Sequence, residues 1–207
     1  MTERTELRTF IVYVENKPGV LNRIASLFRR RGYNIESLTV GHTERPGISR
    51  MTIVAGITPG AGHRVEANIY KLINVLAVED VTESATVLRS LALIKVQANE
   101  SERHNLMEVV RVFRTRVVDL GPDAIIIEIT GSEEKIRALV EVLQPFRILE
   151  MVRTGEVVMT RGLAYRAASE VLPEAAPASE QRQNQPASAS PDSSKALINT
   201  AEASHSV

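Results

Sequence analysis

The chain of 207 residues contains no cysteine and no tryptophan, and only four phenylalanines and four tyrosines. Without cysteine there is no disulfide scaffold, no thiolate nucleophile and no Cys-ligated zinc. No run of apolar residues approaches the ~18 that a membrane-spanning helix needs. Met1 to Arg8 is charged and lacks an apolar core, so no secretory signal is expected and a cytoplasmic location is the simplest expectation. Net charge is absent as well, since 25 Lys plus Arg face 25 Asp plus Glu. That balance argues against a protein that grips nucleic acid or an anionic membrane through bulk positive charge.

The neutrality is an average over unlike parts. Residues 167–207 carry two basic against five acidic residues, a net of −3, which leaves the remainder at +3. The same 41 residues hold 10 Ala, 8 Ser and 4 Pro and no aromatic, a composition that cannot bury enough apolar surface to offset the entropy of ordering it. A disordered tail is expected there.

The other residues read as one pattern written twice. Residues 9–15 are β-branched and aromatic, as in a buried strand. A turn at Asn16-Lys-Pro-Gly19 precedes Leu21, Ile24, Ala25 and Phe28, whose spacing is that of an amphipathic helix. Arg29, Arg30 and Arg31 suit the helix C-terminus, and Gly32 supplies its stop. Strands are expected over 35–43 and 48–57, around the turn Glu44-Arg-Pro-Gly47. A loop at Pro59-Gly-Ala-Gly62, a helix carrying Val65, Ile69, Leu72 and Ile73, and a strand over 75–81 complete βαββαβ. The second round has strands over 91–98, 117–120, 124–130 and 148–152. Its helices are expected to start at Ser101-Glu102 and at a Ser132 cap. The fold class is therefore α+β, two tandem ferredoxin-like βαββαβ units, each an antiparallel sheet with both helices on one face. The other face of so apolar a sheet needs a cover, either a partner subunit or the other half.

Signatures of catalysis are sparse. There is no G-x-S-x-G elbow and no Walker loop, and Gly60-Ala-Gly62 lacks the lysine of a phosphate cradle. His42, His63, His104 and His205 form no i, i+4 pair, so no helical metal face is expected. Glu133-Glu134 reads as compensation of a helix dipole, and Glu79-Asp80 as a solvated strand end. RNA-recognition domains share the βαββαβ order, but Phe10 and Tyr13 fall on opposite strand faces and supply no stacking platform. The turn Asn16-Lys17-Pro18-Gly19-Val20-Leu21 is different. It delivers the chain to a helix N-terminus, whose free N–H groups suit a carboxylate, and Gly19 permits close approach. Asn34 could accept from an ammonium group, while Val20, Leu21 and Ile35 could surround an aliphatic side chain. A small branched α-amino acid would fit; so would an ordinary Pro-Gly turn with no ligand at all.

The blocks Asn16-Lys-Pro-Gly-Val-Leu-Asn-Arg23, Arg31-Gly-Tyr-Asn-Ile-Glu-Ser-Leu-Thr-Val40 and Ser49-Arg-Met-Thr-Ile-Val54 closely resemble the small regulatory subunit family of acetolactate synthase. Leu93-Ile-Lys-Val96, Phe113-Arg114, Val118-Asp119, Thr130-Gly131 and Arg161-Gly162 extend the resemblance, which covers about residues 7–163. Pro145-Phe-Arg147 departs from the family's usual Pro-Phe-Gly, and no counterpart is recognised beyond Arg166. The resemblance implies an ACT amino-acid-binding domain over residues 7–84 and a ferredoxin-like C-terminal domain over 88–163. It implies a chain with no catalysis and no cofactor of its own, paired with itself through its ACT domains. Its partner would be a large catalytic subunit carrying thiamine diphosphate, Mg²⁺ and FAD, which it activates and makes sensitive to valine. The family's effector motif falls on Asn16, Gly19, Val20, Leu21, Asn34 and Ile35, the residues that the physical reading selects. A stand-alone amino-acid sensor is the rival reading, against which stands the absence of a helix-turn-helix segment.

Overall fold

A computed structural model describes residues 5–162. The segment 167–207, expected to be a disordered tail, lies outside the described residues.

The first unit runs β1 (Glu6–Glu15), α1 (Val20–Arg31), β2 (Asn34–His42), β3 (Ile48–Ile57), α2 (Gly62–Tyr70) and β4 (Val75–Asp80). Its antiparallel sheet has the order β2-β3-β1-β4. Alternation along β1 sends Phe10, Val12 and Val14 towards the helices, where they meet Ile24, Phe28, Ile53, Val65 and Ile69 in a fully buried cluster. Helix α1 stops at Gly32, which adopts φ 70° and donates its N–H to the Arg29 and Phe28 carbonyls.

The second unit repeats the order with β5 (Thr86–Gln97), α3 (Glu100–Val112), β6 (Arg116–Leu120), β7 (Ala124–Gly131), α4 (Glu133–Val142) and β8 (Ile148–Arg153). Its sheet order is β6-β7-β5-β8, and Ile94, Ile125, Ile127, Leu106 and Ile136 lie at its centre. Two tandem ferredoxin-like units are thus present. The start of α3 differs from the sequence expectation. Asn99, not Ser101, is the cap, and it forms a reciprocal box with Glu102. An asparagine cap leaves Ser101 inside the first turn, where its hydroxyl donates to the Asn99 side chain at 2.7 Å. Ser132 caps α4 as its sequence suggests, accepting from the Lys135 N–H.

A further strand, β9 (Val157–Thr160), was not foreseen. Strand β5 is long enough to serve twice: Thr86–Arg89 pair with β9, and the residues after them pair with β7 and β8. The β5–β9 ribbon lies on the helix-free face of the first sheet. There Ile11, Tyr13, Ile48 and Ala77 bury against Val158, with Leu88 alongside. The other half of the chain therefore covers part of that face. The Glu156 N–H donates to Ser37 Oγ at 2.8 Å, and the Arg50 guanidinium donates to the Val158 carbonyl at 2.5 Å. Gly155 sits at the tightest point. A Cβ there would fall 2.5 Å from Thr39 Oγ1 and 2.8 Å from the Leu38 carbonyl oxygen.

Asp80 is not the solvated strand end that its sequence context suggests. Its side chain is 10% exposed and meets Arg8 Nη1 at 2.7 Å. Both groups crowd Gly62, where a Cβ would come within 2.8 Å of Asp80 Oδ2, so Gly62 is buried under the pair and begins α2 rather than lying in an open loop. Burial alone would push the Asp80 carboxyl up, but hydrogen bonds from Thr82 and Arg8 outweigh it and hold the carboxyl below the usual carboxylate range.

Two outcomes follow from these contacts. Gly155→Val should destabilise the chain by about 1–3 kcal/mol in urea unfolding, because the Leu38 backbone has to yield. Asp80→Asn should cost about 1–3 kcal/mol at pH 7. A depressed carboxyl contributes stability above its unfolded pKa and loses it as pH falls through the folded value. The gap between Asp80→Asn and the natural chain should therefore narrow as pH falls below about 4, measured by urea unfolding at pH 7 and pH 3.

Candidate functional site

The turn between β1 and α1 is fixed by backbone and side-chain bonds. The Asn16 N–H donates to the Gly47 carbonyl at 2.7 Å, and the Glu15 N–H donates to the Asn74 carbonyl at 2.9 Å. Asn74, in the left-handed region at φ 71°, donates from Nδ2 to Glu15 at 2.6 Å and accepts from Arg23 at 3.0 Å. Lys17 Nζ lies 2.6 Å from the Glu15 carboxylate. Hydrogen bonds from Lys17 and then Asn74 lower the Glu15 carboxyl's pKa.

Helix α1 begins without compensation. Gly19 occupies the cap position at φ 82°, which favours glycine, and it has no side chain to accept from the amides that follow. The first turn carries no acidic residue. The positive end of the helix dipole is thus left for another acceptor. A Cβ at Gly19 would meet nothing within 4 Å, so the space in front of it is open.

The six residues selected from the sequence fall into two groups. Asn16, Gly19, Val20 and Leu21 lie together at the turn. The Val20 side chain is buried in the first core, so what it presents to the turn is backbone, whereas Leu21 is 42% exposed. Asn34 and Ile35 open β2. Asn34 is exposed and donates from Nδ2 to Glu36, and Ile35 is half-buried against the edge of the core. The pairing register sets the groups apart. Asn34 and Leu7 both lie opposite Gly56, while Glu15 lies opposite Ile48 at the far end of the sheet. Eight residues of β1 separate the two levels, about 26 Å at the usual rise. Within one chain the turn and Asn34 do not meet. Strand β2 is an edge of its sheet, and Asn34, Glu36, Val40, Gly41 and His42 are exposed along it.

A second feature escaped the sequence reading. A cleft of about 540 Å³ lies between the helix-free face of the first sheet and β9, lined by Tyr13, Gly41, His42, Arg50, Val157 and Met159 among others. Its one available signal was an arginine at an inward position of β3, where every neighbour in the alternation is apolar or small. Among the described residues no three His, Asp or Glu side chains gather as a metal cluster. No helix among them is long and apolar enough to cross a membrane.

Two antiparallel sheet-and-helix units in tandem, each in the order βαββαβ, define an ACT-type, ferredoxin-like architecture. The family described as "AHAS small subunit-like ACT domain" matches residues 10–77, and that described as "Small subunit of acetolactate synthase" matches residues 89–162. The acetolactate synthase small subunit of Mycolicibacterium smegmatis is 44% identical over 162 residues, covering 78% of this chain and 95% of that one. The Bacillus subtilis small subunit is 43% identical over 163 residues, with the same two coverages of 78% and 95%. The crystal structure of the Thermotoga maritima small subunit superposes with a TM-score of 0.70 at 36% identity, covering 76% of this chain and 98% of that one. The chain belongs to the family of acetolactate synthase small subunits.

Proposed function

We propose that the chain is the non-catalytic regulatory partner of an acetolactate synthase catalytic subunit, and that it raises that subunit's activity and confers feedback inhibition by valine. Family membership across both halves supports the subunit role, and the uncapped start of α1 supports the effector role. Thiamine diphosphate, Mg²⁺ and FAD belong, in this reading, to the catalytic partner.

Valine's carboxylate would accept from the α1 amides next to Gly19, its ammonium would lie near Asn34, and its isopropyl group would rest on Leu21 and Ile35. Because the two groups of residues stand at opposite ends of the sheet, one chain cannot supply both. Antiparallel addition of β2 to the β2 edge of a second copy brings Asn34 of one chain to the sheet end that carries the partner's turn. Two chains then make two equivalent sites. Valine binding would favour one geometry of the pair, and that geometry would hold the catalytic subunit in a less active state. Linkage requires the converse too, so the catalytic subunit changes valine affinity by the same factor.

The test is an assay of acetolactate formation by the purified catalytic subunit, alone and with the full chain, with and without valine. Stimulation by the chain and its reversal by valine are expected. Gly19→Asp, which sets a negative charge against the incoming carboxylate, should keep the stimulation and lose the valine response. A chain that neither stimulates nor inhibits would contradict the subunit role. Full valine inhibition in Gly19→Asp would contradict the site.

A further inference from the structure

We infer that the cleft between the first sheet and β9 is a second small-molecule site, separate from the turn and Asn34, and that it takes a small aliphatic monocarboxylate through Arg50.

An arginine stands on the helix-free face of the first sheet among apolar and small neighbours. Along β3, Ile48, Arg50, Thr52 and Val54 share the helix-free face, and Arg50 is half-buried there. Its partners among the described residues are all neutral. Nε donates to the Tyr13 hydroxyl at 3.2 Å, one Nη1 hydrogen reaches Thr52 Oγ1 at 3.4 Å, and one Nη2 hydrogen goes to the Val158 carbonyl. Its guanidinium carbon stands 5.8 Å from the Tyr13 ring centroid. Of its five N–H groups these bonds use three, so among the described residues each terminal nitrogen keeps one donor for a carboxylate. Among the described residues no carboxylate pairs with Arg50. Glu44 lines the same cleft, but its side chain is 77% exposed and is turned to Arg45. Among the described residues this half-buried guanidinium is held by three neutral acceptors only, which leaves it able to take an anion.

The shape of the cleft points to the body of the ligand. Across the strand pair, Arg50 lies opposite Gly41, where a Cβ would meet nothing within 4 Å. The missing side chain opens the space directly beside the guanidinium. Ile11, Val157 and Met159 supply apolar walls. The volume of about 540 Å³ falls in the range of small-ligand pockets. A cation with aliphatic Ile11, Val157 and Met159 set among threonines and His42 suits a small carboxylate with a short hydrocarbon body. Strand β9 provides both a wall and one of the bonds that aim Arg50, so occupancy would bear on the contact between the two units.

The probe is isovalerate, with isovaleramide as its uncharged isostere, titrated by calorimetry into the full chain. Isovalerate should bind at least about tenfold more tightly than the amide, the scale of a charge-assisted bond. Arg50→Gln should weaken isovalerate by a similar factor. Since that substitution also alters the contact with β9, Gly41→Val provides a second variant. It fills the cleft from open space without touching Arg50's bonds, and it should abolish binding while leaving urea unfolding unchanged. Gly19→Asp should leave isovalerate binding intact, so failure of this site and failure of the valine site are told apart. Equal affinity for acid and amide, binding that survives Gly41→Val, or no saturable binding at all would overturn the inference.

Discussion

Strand β1 is buried on both of its faces, and the rest of the structure is arranged around that fact. Phe10, Val12 and Val14 on one side and Ile11 and Tyr13 on the other are each no more than 4% exposed. Burial of this extent is worth roughly 1.5–3 kcal/mol for each large side chain, so neither face can be left to water. Two helices cover the first face. The second is covered by chain from the far half, because β5 begins four residues before its own sheet needs it and pairs with β9 over the neighbouring one. The contact is close enough that Gly155 has room for no Cβ.

That cover reaches β2 at Ser37, Leu38 and Thr39 through Glu156 and Gly155 but, among the described residues, leaves the Gly41 end of the strand open. Around Gly41 the ribbon leaves a cleft with Arg50 on its wall. Along β2 itself the ladder ends in unpaired backbone, a surface suited to a second copy. The positions of the turn and of Asn34 at opposite ends make that second copy a requirement of the proposed valine site. An antiparallel register, rather than any single side chain, thus determines how many chains a site needs.

Much of this was legible in the sequence. Apolar spacing located α1, and Gly32 located its end, because the helix period and the left-handed stop are local properties. Phe10 and Tyr13 separated onto two faces by counting alone. Asn16, Gly19 and Asn34 were singled out by chemistry that a helix N-terminus and an amide carry wherever they fall. What local pattern could not reveal was long-range pairing. Four residues at 157–160 are too short for a periodicity to declare itself, and the doubled use of β5 is invisible until both partners are placed. Asp80 looked solvated because its partner Arg8 lies 72 positions away. The start of α3 was misplaced by two residues because Asn99 and Ser101 are both good caps, and only the reciprocal bond with Glu102 decides between them.

The central claim is that the valine site is built in trans, and mixing two defective chains tests it most directly. Gly19→Asp spoils the turn and Asn34→Ala spoils the strand, so neither variant alone should bind valine by calorimetry. In a mixed dimer one site receives both defects and the other receives none. Unfolding the two variants together and refolding them should therefore restore binding, at one valine per mixed dimer. If the mixture binds no more valine than the separate variants, the turn and Asn34 do not meet across two chains, and the account is wrong.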